Sequence, residues 1–388
     1  MTRLTIDTDY LADILARLLR TPSPSGYTDT VVRLLFAELE ELGLTPELTR
    51  RGAIRAVRAG GIKNGARAIV SHVDTLGCQV KALKNNGRLA LVPIGHWSAR
   101  FAEGARATIF TEEGSYRGTI LPLKASGHTF NNEIDTQPVG WDHVELRVDA
   151  LARNDGDLRH RGIDIGDFVA IDPQPEFLEN GYIVSRHLDD KGGVAVMLAA
   201  LKSLQEAKIK TPVDTHWLFA VAEEVGVGAS SILNSDVVSL VAIDNGTTAP
   251  GQNSDEFGVT IAAADQTGPF DYHLTRKLVQ LCRDNEIRFQ KDIFRYYRSD
   301  LASAVEAGAD VCTALITFGV DASHGYERIH MHALRSLAEL ITAYVASPVL
   351  IKRDLKPIGD VKGFTRQPSK EAEQQLSPDV TGDLIEHE

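Results

Sequence analysis

Cysteine is almost missing from this chain: Cys78, Cys282 and Cys312 are the only three in 388 residues, and they stand far apart. They suggest neither a disulfide framework nor a cysteine zinc site, and buried thiols are expected. No apolar run approaches the roughly 20 residues needed to cross a bilayer. Nor does an N-terminal stretch combine a basic start, an apolar centre and a small-residue cleavage site, so a cytoplasmic location is expected. Positive charge is also in deficit, with 41 Lys and Arg against 53 Asp and Glu and a formal net charge of -12. Nucleic acid and anionic membrane both demand basic patches, so neither is an expected partner.

What is present is apolar substance in a regular order. A hydrophobic content of 43% can bury a large core, and the length allows two domains. "DYLADILARLLR" repeats Leu11, Ile14, Leu15, Leu18 and Leu19 at helical spacing until "TPSPSG" breaks it. "TDTVVRLLFAELEELG" reads as a second helix, opened by a Thr or Asp cap and closed by Gly43. Between 79 and 180 the texture changes to short alternating segments with many turns, the pattern of an inserted β unit. Strands and helices then alternate again through "DKGGVAVMLAALKSLQEAK", "HWLFAVA", "VVSLVAI" and "VCTALITF". The expectation is an α/β protein: a mixed-sheet catalytic domain in two parts (1–78 and 181–346), a small barrel-like β insert (79–180) and a tail (347–388) without periodicity.

The informative polar residues are those that stop apolar runs. His72 and Asp74 follow one strand, Glu223 and Glu224 another, Asp244 follows "VVSLVAI", and His324 lies just beyond "VCTALITF". In an open α/β sheet such positions gather at the carboxyl edge, where ligands bind. Asp189 and Asp190 precede the helix expected from Lys191. Singly, each has a plain explanation: a solvated turn for the Glu pair, a core imidazole for His72, helix capping for the Asp pair, a turn for "DNGT". His330 and His332 read as surface residues, since no strand-like run surrounds them, and Gly192 and Gly193 can simply permit close packing.

Together, histidines and several carboxylates match the ligand mix of a dinuclear centre of zinc or a related divalent ion. Two metals about 3.5 to 4 Å apart need a bridging carboxylate. If Asp189 bridges, His72 and Asp244 can complete one site and Glu224 and His324 the other, and the cations' surplus charge would ionise water near neutral pH. Glu223 is then the remaining carboxylate, free to move a proton.

"HVDTLG", "HLDDKGG", "AEEVGVGAS", "VAIDNGT" and "SHGYE" occur in the order that resembles the dinuclear zinc metallopeptidases of the tetrahedral aminopeptidase and glutamyl aminopeptidase type. The resemblance covers residues 8 to 345. "GHWSARFAEGARATIF", "GTILPLKASGHTFN" and "QPVGWDHVELRVDA" further resemble the branch encoded beside genes for the osmolyte N-acetylglutaminylglutamine amide. By position, the resemblance implies His72, Asp189 and Asp244 on one zinc, Asp189, Glu224 and His324 on the other, Glu223 as general base and Asp74 orienting His72. It also implies an unusual peptide bond between Asp189 and Asp190, a dimerisation role for the insert, and a homo-oligomer, with twelve-subunit tetrahedra common in the family. Departures from the family pattern include Lys191 for an arginine, Thr75 for an acidic residue, "HGY" for "HSP" and no arginine soon after "EEVG". Such positions are expected to line the pocket, which puts inherited specificity in question.

The function expected is hydrolysis of the first peptide bond of a short peptide, with two divalent ions per chain, zinc first and cobalt or manganese compatible. A rival is an amidohydrolase or deacylase acting on an N-acetylated, dipeptide-like osmolyte or its precursor. A rival of another class is a non-catalytic, metal-stabilised assembly.

Overall fold

A computed structural model of the chain describes residues 3–349, 361 and 364–368, so the expected tail falls largely outside the described residues. Helix Thr8–Leu19 buries Leu11, Ile14, Leu15, Leu18 and Leu19, the stripe read from the sequence, and Asp7 caps it by accepting the Tyr10 N–H at 2.9 Å. Helix Asp29–Glu41 follows Thr28, which holds the N-cap position without a side-chain cap bond. Just past its end the chain turns at Gly43, whose φ of +77° lies in the left-handed region that glycine adopts freely.

Among the described residues the main sheet has nine strands. At its centre Val213–Ala220, Ile62–His72, Val237–Thr247 and Cys312–Val320 lie parallel to one another. Ile54–Arg58 and Val259–Asp265 flank them antiparallel, so the sheet is mixed. Val213–Ala220 and Val237–Thr247 are buried almost throughout, as strands covered on both faces must be. The parallel direction brings four carboxyl ends to one edge, setting His72 beside Ala220 and Asp244 beside Thr317.

Helix Leu188–Glu206 lies at the heart of the molecule. Asp189 and Asp190 at its start have non-helical backbone angles and are joined by a cis peptide bond. A single buried face is expected from the apolar spacing, yet every residue from Leu188 to Leu201 is buried. The strands Ile62–His72 and Val237–Thr247 and the helices Thr8–Leu19 and Met331–Ala346 all pack on it, which the small residues of "GGVAVMLAA" permit. A Cβ on Gly192 would approach the Phe318 ring to 2.9 Å, so the close-packing reading of that glycine holds.

The insert forms a closed barrel of six strands, ordered Gly77–Leu83, Arg88–Ile94, Val144–Val148, Ser115–Pro122, Arg106–Phe110 and Phe168–Ile171. Val80, Leu89, Ile109, Ile120, Leu146 and Val169 fill a core distinct from that of the main sheet. Closure leaves no open sheet edge. The chain returns through Glu176–Phe177 and Tyr182–Ser185, which pair with Glu327–His330.

That small sheet corrects the reading of His330 as a surface residue. His330 is buried, accepts the His332 N–H at 3.1 Å to cap helix Met331–Ala346, and turns Nε2 to the Asn180 carbonyl at 3.0 Å. Its strand has only four residues and a partner from a distant segment, so no local run announces it. His332 is exposed as expected. Cys78 and Cys282 are buried and Cys312 is half-buried, and no helix among the described residues is long and apolar enough to cross a membrane.

Candidate metal centre

The carboxyl edge of the sheet gathers the seven residues singled out from the sequence. Asp189 stands between two histidines: Oδ1 is 3.2 Å from His72 Nε2, and Oδ2 is 3.2 Å from His324 Nε2. Glu223 and Glu224 diverge from the end of their strand, Glu223 Oε2 lying 3.7 Å from His72 Nε2 and Glu224 Oε2 lying 3.8 Å from His324 Nε2. Two sets, His72–Asp189–Asp244 and Asp189–Glu224–His324, each present atoms that all lie within 4.8 Å of one another. Asp189 belongs to both.

Both imidazoles are held in a fixed orientation. His72 Nδ1 is 3.0 Å from the Asp74 main-chain oxygen, and His324 Nδ1 is 2.8 Å from the His96 main-chain oxygen. A carbonyl can only accept, so each Nδ1 carries the proton and each Nε2 is directed at Asp189. The Asp74 carboxylate, expected to orient His72, is 3.5 Å from Nδ1 and spends its hydrogen bonds elsewhere. It accepts the N–H groups of Glu223 and Glu224 at 3.1 and 3.3 Å and the Ser25 hydroxyl at 2.5 Å.

The electrostatics call for cations. Burial, then the charge of Asp189, pushes Glu224 up to about 8. Burial is also the first cause that drives Asp244 and Glu223 well above the carboxylate range. Asp189 alone is held below it, because His324 and His72 outweigh the effect of burial. Glu224 Oε1 is buried without any hydrogen-bond partner. Crowded carboxylates with a spare oxygen and two oriented imidazoles fit divalent cations, which supply the charge that the fold leaves out.

Four neighbours have no counterpart in the sequence reading. Glu327 accepts the N–H of Asp189 at 3.1 Å and of His324 at 3.0 Å. Asn245 donates to Asp189 Oδ2 at 2.6 Å and to Asp244 Oδ1 at 3.2 Å. Ser25 and His96 act as described above. Asn245 sits in "DNGT" and looks like a turn residue, Glu327 sits inside "SHGYE" without a marked role, and His96 offers only its main chain, so spacing gives no signal for any of them.

Asp190, next to the shared carboxylate, points away from the cluster to the Ser71 hydroxyl. Two departures from the family pattern also lie away from the pocket. Lys191 is buried and donates to the carbonyls of Leu18 and Thr21 at 2.9 and 2.7 Å, closing the end of the first helix. Thr75 is buried, with its N–H on the Ser23 carbonyl at 2.9 Å. The expectation that such positions line the pocket is therefore wrong for these two.

A cavity of about 840 Å³ opens over the cluster, lined by Asp189, Glu223, Glu224 and Asp244 and by a wall that includes Tyr297 and Ser299. The family model for M42 glutamyl aminopeptidases matches residues 52–340. The chain belongs to that family. It is a hydrolytic peptidase of the aminopeptidase type, and its relatives are consistent with this. YhfE of Bacillus subtilis (strain 168) is 36% identical over 339 residues, covering 87% of this chain and 98% of that one. The glutamyl aminopeptidase of Lactococcus lactis subsp. cremoris (strain MG1363) is 27% identical over 228 residues, covering 57% of this chain and 62% of that one. Among solved structures, the TET1 peptidase of Pyrococcus horikoshii superposes with a TM-score of 0.76 at 22% identity, over 86% of this chain and 99% of that one. The two thus share their overall fold.

Proposed function

We propose that this M42 peptidase removes the N-terminal residue of short peptides at a dinuclear centre of zinc or a similar divalent ion, with Glu223 as general base. The observation that carries the reading is Asp189, one carboxylate shared by two ligand sets. Cations held there would draw electron density from the scissile carbonyl and acidify the attacking water. Glu223, beside the shared carboxylate and outside both sets, takes the proton from that water and delivers it to the departing nitrogen. One water is consumed, the C–N bond breaks, and an acid and an amine leave. A free N-terminal amine has a lone pair that a cation held there would take and an N-acetylated one has not, so a free N-terminus would be held with its first peptide bond at the centre.

Free dipeptides compared with their N-acetylated forms test the substrate. Faster release from free peptides is expected; faster cleavage of the acetylated series would replace the aminopeptidase with a deacylase of blocked, dipeptide-like compounds. The Pyrococcus horikoshii TET1 peptidase is described as assembling into a tetrahedron or a large octahedral shell. We extend a homo-oligomer to this chain, built from dimers through the insert at 79–180, and light scattering of the purified protein checks it.

A further inference from the structure

One wall of the cavity comes from residues 294–299, which join strand Phe289–Ile293 to helix Asp300–Glu306. Tyr297 is fixed within it from two sides. Its carbonyl accepts the Gln266 N–H at 3.2 Å, and its ring meets the Phe294 ring edge-on with centroids 5.0 Å apart. Its hydroxyl is buried and has no hydrogen-bond partner. Ser299, two residues on, repeats the pattern: its hydroxyl is buried and unpartnered, although it stands at a helix N-cap where serine ordinarily accepts a helix N–H. Thr215, Thr275 and Thr317 also carry buried hydroxyls without partners, but Tyr297 and Ser299 are the two that line the cavity, where a ligand can supply the missing acceptors.

Carboxylates and metal-ligating imidazoles offer a substrate no hydrogen-bond donor, yet a peptide presents a row of carbonyl acceptors. Tyr297 shares its cavity with Asp189, Glu223 and Asp244, the residues around the reacting bond. Burial, then the charges of Asp244 and Asp189, raises its phenol well above the usual range, so the O–H remains a donor.

We infer that Tyr297 is a further catalytic residue: its phenol O–H donates a hydrogen bond to the oxygen of the scissile carbonyl, and the bond strengthens as that oxygen takes up negative charge. Ser299 donates to another main-chain carbonyl of the same peptide. The inference rests on the metal-dependent peptide hydrolysis proposed above. The competing role for Tyr297 is structural, as partner to Asp265, whose Oδ2 is also buried and unpartnered.

Tyr297→Phe removes the O–H and keeps the ring. The metal-loaded variant is assayed on a free dipeptide, and calorimetry measures its affinity for two probes: a phosphinic dipeptide analogue, whose tetrahedral centre carries the charged oxygen, and the free amino acid product. A roughly 100-fold fall in kcat is expected, as for loss of one oxyanion donor, with KM changed by less than about 3-fold. Phosphinate binding should weaken by ~30-fold or more while amino acid binding and metal content hold. Unchanged kcat and phosphinate affinity would overturn the inference. So would equal weakening of both probes with a lower melting temperature, which marks a structural role. Ser299→Ala should raise KM by about 5-fold with kcat kept, as loss of one uniform binding contact does. Failure of the underlying reading looks different, since wild-type turnover would then survive metal removal whatever Tyr297→Phe does.

Discussion

The carboxylate of Asp74 accepts the main-chain N–H of Glu223 at 3.1 Å, and its second oxygen takes the N–H of Glu224 at 3.3 Å. The residue that follows one strand thus fixes the departure of two carboxylates from the neighbouring strand. An asparagine there would turn an N–H₂ group toward an N–H. Asp74→Asn should lower kcat by roughly 10- to 100-fold, the usual range for lost support behind a metal site, while the protein stays folded. Steady-state kinetics with circular dichroism checks this; a variant as active as the parent would show that Asp74 does not set the Glu pair.

Metal removal should abolish turnover and lower stability together. Burial first, and neighbouring carboxylates after it, raise Glu223, Glu224 and Asp244 in pKa, so cations bound to the folded state alone stabilise it by mass action. The melting temperature of chelated protein should rise with added Zn²⁺, Co²⁺ or Mn²⁺. Glu224→Gln should reduce metal content as measured by mass spectrometry of the dialysed protein.

Gly193 is a packing requirement of the centre. A Cβ there would come within 2.5 Å of Asp190 Oδ1 and 2.8 Å of Ser71 Oγ. Gly193→Ala should displace Asp190 and cost about 1–3 kcal/mol, a typical overpacking penalty. Urea denaturation gives the value, and no loss would mean that Asp190 moves freely.

Lys191 ties the start of the central helix to the carbonyls of Leu18 and Thr21. Lys191→Met should cost about 1–3 kcal/mol, since the Thr21 carbonyl loses its donor and the Leu18 carbonyl keeps only the Thr21 N–H, and should leave the ranking of dipeptide substrates unchanged. A changed ranking would return this position to the pocket.

Buried thiols give a check on the two cores. Burial raises Cys78 well above the normal thiol range and Cys282 to about 12. At pH 8 both are protonated and shielded, so iodoacetamide should modify them only as the protein unfolds. Half-buried Cys312 should react first, and peptide mapping would show the order.

Much of this arrangement was legible in the sequence because the chemistry sits where apolar runs stop, although the strand that carries Asp244 continues to Thr247. The runs ending at His72, Glu223 and Asp244 give both the parallel core and its reactive edge, since strand direction places their ends together. The supporting contacts were less legible. Asp74 is marked by its place after a strand, but its hold on the main chain of the Glu pair is not; His96 contributes only a carbonyl, and Glu327 holds two distant amides, none of which leaves a periodic trace. The burial of His330 and of the central helix from Leu188 to Leu201 is likewise set by partners far away in the chain.

The central claim is that Glu223 moves the proton while its neighbour Glu224 binds metal. Glu223→Gln, analysed for metal content and for turnover of a free dipeptide in one preparation, tests it most directly. Metal content equal to that of the parent, with kcat lowered by about 10²- to 10⁴-fold, is the predicted result. Undiminished turnover at full metal content would contradict the account.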